Sequence, residues 1–84
     1  MMNGKKDFEL KTPDLGDSEK IELIKWYASK NDLIKKGQEV LELVTDKAAF
    51  PVESPYSGKL KEIFALEGEV VQKYQILGIL EISE

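Results

Sequence analysis

"LIKWYASKNDLIKKGQEVLEL", residues 23–43, and "LKEIFALEGEVVQKYQILGIL", residues 60–80, lie over one another when the chain is shifted by 37 positions. Leu23 then meets Leu60, Ala28 meets Ala65, Lys36 meets Lys73 and Gln38 meets Gln75. Residue types match as well: Trp26-Tyr27 over Ile63-Phe64, Leu33-Ile34 over Val70-Val71, and Asn31-Asp32 over Gly68-Glu69. Asn and Gly both tolerate positive φ, so either can hold the same tight turn. An internal repeat of this period points to a duplicated supersecondary unit.

Working outward from the repeat, each unit is built of strands. Phe8–Lys11, Lys20–Ala28, Glu39–Val44, Ala48–Glu53, Lys59–Leu66 and Ile76–Ile82 read as strands, with Leu33-Ile34 and Val70-Val71 as very short ones. Breaks fall at residues 12–18, 30–32, 36–37, 54–58 and 67–69, where Pro, Gly, Asn, Asp and Ser collect. A helix over residues 19–30 is rejected because Ile21, Leu23, Ile24, Trp26 and Tyr27 make no helical stripe. Pro51 inside a strand implies an edge position or a bulge. Gly37 and Gly58 are expected to serve turns of unusual φ. Trp26, Tyr27 and Phe64, aromatic residues within strands, read as packing residues. The expected fold is all-β: a flattened eight-stranded barrel-sandwich hybrid of two four-stranded halves with pseudo-twofold symmetry.

The segment joining the halves then occupies a special place. It runs Val44-Thr45-Asp46-Lys47-Ala48, a short polar interruption between apolar strands, which is the pattern of a hairpin tip. Asp46 is expected to close the turn by bonding to nearby backbone. Lys47 would project from the apex, with the terminal strands at the opposite end.

Composition narrows the chemistry. The 84 residues contain no Cys and no His, and the net charge is −4. Disulfides, Cys/His metal sites and thiol nucleophiles are thereby excluded, and so is the usual neutral-pH general base. The 16 acidic residues are dispersed and the 12 lysines are interleaved with them, which disfavours a metal site, a catalytic site and nucleic-acid binding. No apolar run approaches the roughly 20 residues of a membrane span, and residues 1–6 lack the apolar core of a signal peptide. Residues 1–6 read as a flexible lead-in and 7–84 as one domain. A small domain of this kind buries only about 60% of its unfolded surface, so it must rely on a compact core.

The residues around the joint carry a family resemblance. "TDKAAFPVESPYSGKL" resembles the modification loop of lipoyl domains of dihydrolipoamide acyltransferases in 2-oxo-acid dehydrogenase complexes. "TPDLGDS" is similar to the family's leading segment. "IKWYASKNDLIKKGQ", "SPYSG" and "LEGEVVQKYQILGILE" match further elements, so the likeness covers nearly the whole chain. The resemblance implies a non-catalytic carrier with lipoate in amide linkage to Lys47, acting as a swinging arm. It implies that Thr45, Asp46 and Ala48 present the lysine to a lipoate ligase or lipoyl transferase. Leu15, Gly16, Asp17 and Ser18 would be a loop recognised by the thiamin-dependent 2-oxo-acid decarboxylase, the plainer alternative being that Leu15 and Gly16 simply fill a loop. Further implied partners are the acyltransferase core and dihydrolipoyl dehydrogenase, in bacterial cytoplasm or the mitochondrial matrix, with the isolated domain monomeric. The end at Ser83-Glu84 suggests an N-terminal domain cut from an acyltransferase subunit.

Departures from the family pattern are Val44, Pro51, Glu53, Asn31 in place of a glycine, and a leading loop without a second glycine. The rival readings are a biotin carboxyl carrier domain and an unmodified interaction module of the same fold. A biotinyl lysine is usually flanked by methionines, whereas the flanks here are Asp46 and Ala48.

Overall fold

The structure is a computed structural model that describes residues 5–16 and 20–82. Among these there is no helix. Eight strands follow in order: β1 (Lys6–Lys11), β2 (Ile21–Trp26), β3 (Leu33–Ile34), β4 (Glu39–Val44), β5 (Ala49–Glu53), β6 (Gly58–Ile63), β7 (Val70–Val71) and β8 (Ile76–Ile82). They form two four-stranded antiparallel sheets, β1-β8-β6-β3 and β5-β4-β2-β7, which do not close on one another. The all-β reading and the rejection of a helix over 19–30 agree with this architecture.

Each sheet takes two strands from each half of the chain, so the halves interlock. The 37-residue shift maps β2 onto β6, β3 onto β7 and β4 onto the first six residues of β8, and it carries hydrogen bonds with it. Leu23 donates to the Glu69 carbonyl at 2.9 Å, and its counterpart Leu60 donates to Asp32 at 2.9 Å. Gly68 donates to Leu23 at 2.7 Å, and Asn31 donates to Leu60 at 2.6 Å. Asn31 and Gly68 hold φ of 77° and 92°, so the Asn/Gly exchange preserves one left-handed turn. Even the bulges repeat, between Leu23 and Lys25 in β2 and between Leu60 and Glu62 in β6.

The core follows from strand alternation. Leu23, Leu41, Leu43, Leu60, Leu77 and Leu80 are fully buried, joined by Val40, Ile34, Val71 and the small residues Ala28 and Ala65. At one layer the repeat is asymmetric in volume. Leu41 corresponds to Gly78, and Ile63 corresponds to Trp26. A Cβ at Gly78 would lie 3.3 Å from the Trp26 ring and 2.7 Å from the Glu62 carbonyl, so the glycine makes room for the indole. The Trp26 Nε1–H donates to the Ala65 carbonyl at 2.8 Å, which satisfies the one polar atom of the ring.

Pro51 lies in β5, the outer strand of its sheet, where a missing donor is tolerated. Gly37 has φ 86°, as expected of a turn glycine. Gly58 differs from expectation: its φ is not positive, and it sits inside β6 facing β8. A Cβ there would fall 2.3 Å from the Glu81 carbonyl oxygen, so the requirement is space rather than dihedral freedom. The aromatic expectation also divides. Trp26 packs on the core, while Tyr27 and Phe64 are 45% and 58% exposed. Tyr27 instead donates its hydroxyl to the Glu42 carboxylate, and that bond pushes the phenol pKa up.

Candidate modification site

The β4–β5 connection is the tightest hairpin of the joint between halves. Val44 pairs with Ala49, and the Thr45 N–H donates to the Ala48 carbonyl at 3.0 Å, leaving Asp46 and Lys47 as the two turn residues. Neither has a positive φ, so the turn needs no glycine. Closure comes from Thr45 rather than from Asp46, the residue expected to do it. The Thr45 hydroxyl oxygen accepts from the Lys47 N–H at 3.1 Å and from the Ala48 N–H at 3.4 Å. The reason is positional: Thr45 is the last residue before the reversal and is only 8% exposed. Asp46, Lys47, Ala48 and Ala49 are all exposed. Two bonded backbone N–H groups thus mount a long side chain on a held turn, with Asp46 before it and the small residues Ala48 and Ala49 after it.

Register shows what else shares this end. Glu22 at the start of β2 pairs with both Val44 and Val70. β7 is antiparallel to β2, so it runs toward the hairpin end and delivers the turn Gln72–Gln75 there. The loop after β1 arrives at the same place, since the Thr12 N–H donates to the Gln75 carbonyl and the Tyr74 N–H donates to the Thr12 carbonyl, both at 2.9 Å. Lys6 paired with Ile82 marks the other end, so the terminal strands begin and finish away from the hairpin.

Of the expected recognition loop, Leu15 and Gly16 are placed beside this end, and Asp17 and Ser18 lie outside the described residues. Leu15 packs partly onto the core, which favours the plain loop-filling reading for its side chain. Gly16 is exposed with φ 82°. Its N–H donates to Asp14 Oδ1 at 3.0 Å, and the same carboxylate receives Lys73 Nζ at 3.2 Å and the Tyr74 hydroxyl at 3.4 Å. The Gly16 N–H, then the Lys73 ammonium, hold the Asp14 carboxyl below its ordinary pKa of 3.8.

Sequence reasoning missed Asp14, Lys73 and Tyr74. One signal was available in the repeat: Tyr74 falls opposite Gly37, and the two share the left-handed backbone, with φ of 67° and 86°. A bulky side chain in that conformation costs roughly 1 kcal/mol or more.

Comparison with known proteins identifies the family. A family model described as "Biotin-requiring enzyme", the biotin/lipoyl family, matches residues 8–80. Among curated relatives, the succinyltransferase component of the 2-oxoglutarate dehydrogenase complex of Bartonella vinsonii subsp. berkhoffii is 36% identical over 74 residues, 87% of this chain and 18% of that protein. The lipoamide acyltransferase component of the branched-chain alpha-keto acid dehydrogenase complex of Pseudomonas putida is 36% identical over 63 residues, 74% of this chain and 15% of that protein. The acetyltransferase component of the pyruvate dehydrogenase complex of Bacillus subtilis strain 168 is 36% identical over 64 residues, 75% and 14%. The chain therefore spans less than a fifth of the length of these relatives. With its duplicated all-β fold and a lysine on the joining hairpin, the chain belongs to the biotin/lipoyl attachment family, homologous to the attachment domains of 2-oxo-acid dehydrogenase acyltransferase components.

Proposed function

We propose that Lys47 carries lipoate in amide linkage and that the domain is a non-catalytic carrier in a 2-oxo-acid dehydrogenase complex. The observation that carries the reading is an exposed lysine on a two-residue turn whose backbone N–H groups are bonded beneath it. When attached, the lipoyl group supplies a disulfide that takes an acyl group on one sulfur while the other is reduced to a thiol. The protein's part is mechanical. Thr45 holds the turn still, so motion is confined to the lysine side chain and what it bears. Ala48 and Ala49 leave space for a ligase to enclose the amine. Tethering keeps the cargo at high effective concentration near successive active sites.

Lipoate is favoured over biotin by the Asp46 and Ala48 flanks and by the relatives, which are named as acyltransferase components. The partners that follow are a lipoate ligase or lipoyl transferase, a thiamin-dependent decarboxylase, the acyltransferase core and dihydrolipoyl dehydrogenase. The test is intact mass after co-expression with a lipoate ligase and lipoate, beside Lys47→Ala and an avidin blot. One lipoyl mass increment that disappears in Lys47→Ala is expected. An unmodified wild-type domain, avidin capture, or modification surviving in Lys47→Ala would each overturn the reading.

A further inference from the structure

The repeat supplies an internal control for the turn beside Lys47. In the first half the turn Lys35–Gln38 places Gly37 at the left-handed position, with Gly37 donating to the Ser54 carbonyl at 2.7 Å and Ser54 to Gln38 at 2.8 Å. In the second half Tyr74 and Thr12 make the same pair of bonds. The backbone is thus satisfied by glycine, and nothing in the ladder asks for a tyrosine. Burial does not explain it either, because Tyr74 is 60% exposed. The difference between the two turns lies at the side chains. The second turn directs the Tyr74 hydroxyl and Lys73 Nζ onto Asp14, and Asp14 in turn accepts the Gly16 N–H. The equivalent end of the first turn has no loop of this kind, since only residues 54–57 join β5 to β6, against 12–20 between β1 and β2.

We infer that Tyr74 is a positioning residue: acting through Asp14, it locks the Leu15-Gly16 loop in one place beside the Lys47 hairpin. The loop and hairpin then meet an enzyme as a single surface, which rests on the carrier function proposed above. A partner that must seat the loaded lysine in its active site would read that loop at fixed distance from the arm's root. A strained backbone next to the modification site, where the repeat offers an unstrained alternative, is the cost of that fixity.

The test compares the wild-type chain with Tyr74→Gly and with Tyr74→Phe, which keeps the ring and removes the donor. Amide hydrogen exchange at Gly16, read by NMR on the unmodified protein, is expected to quicken about fivefold or more in both variants, since each removes the hydroxyl that holds Asp14, with melting temperature unchanged or raised in Tyr74→Gly. For lipoylated protein presented to a thiamin-dependent pyruvate decarboxylating component, KM is expected to rise several-fold with kcat retained. Unchanged Gly16 exchange in Tyr74→Gly would overturn the inference, whatever the enzyme assay shows. Failure of the wild type to accept lipoate would overturn the carrier function and leave the exchange comparison standing.

Discussion

Replacing Thr45 with valine keeps the branched shape and deletes the oxygen under the hairpin. The bond from the Lys47 N–H at 3.1 Å is of ordinary length and that from the Ala48 N–H at 3.4 Å is long. A typical intramolecular hydrogen bond contributes a net ~1 kcal/mol, and the longer one less. Lys47 and Ala48 are exposed, so water can reach the released N–H groups and the full penalty for a buried orphan does not apply. The sum is about 1–2 kcal/mol. For a domain of this size 1 kcal/mol shifts the melting point by about 4–8 °C, so Thr45→Val should melt about 4–16 °C lower. Thr45→Ser, which restores the acceptor, should recover most of that loss, and Asp46→Ala should move the transition by much less. The same series should order the initial rates of lipoylation, followed by intact mass, because a loosened turn presents Lys47 in many orientations. Thermal melts by circular dichroism decide the matter. A Thr45→Val domain melting within about 1 °C of wild type, or an Asp46→Ala domain that loses more than Thr45→Val, would refute the assignment of closure to the threonine hydroxyl.

Other perturbations follow from the same geometry. Gly58→Ala, the smallest addition possible, drives a methyl to 2.3 Å from the Glu81 carbonyl oxygen and should cost about 2 kcal/mol or more by denaturant titration. Trp26→Phe removes the donor to the Ala65 carbonyl and leaves a void over Gly78, so a loss of about 2–3 kcal/mol is expected in the same titration. Asp14 titrates below its ordinary value, so its hold on Gly16 is complete above pH 3.8 and is lost as pH falls through the lower native value. A pH series of NMR spectra should show the Gly16 amide titrating with a midpoint below pH 3.8, and a midpoint above it would contradict the Asp14 assignment.

Strand content, the repeat and the hairpin at its joint were legible because each rests on local chemistry. Alternating apolar residues make half-buried strands, and Asn31 and Gly68 mark the same left-handed turn in two places. The hairpin between Val44 and Ala49 could be read because polar residues interrupt two apolar strands at the point where the halves meet. Gly58 shows where such reading stops. A glycine suggests a turn when only neighbours in sequence are considered, yet its cause is the Glu81 carbonyl, a partner 23 positions away across β6 and β8. Tyr27 and Phe64 differ from the packing expectation for a related reason: they stand one residue past the ends of β2 at Trp26 and β6 at Ile63, where strand alternation no longer sets which way a side chain faces.

By itself, then, the amino-acid sequence determined the fold class, the two-unit plan and the lysine on the hairpin that joins the units. These depend on periodicity and on residues adjacent in the chain. Tertiary structure decided that the halves interlock across both sheets, that Thr45 rather than Asp46 closes the apex, and that Asp14, Lys73 and Tyr74 join one loop to another. Those outcomes depend on hydrogen bonds whose direction and length are set only when the strands have taken their register, and some of their partners are some sixty residues apart in the chain.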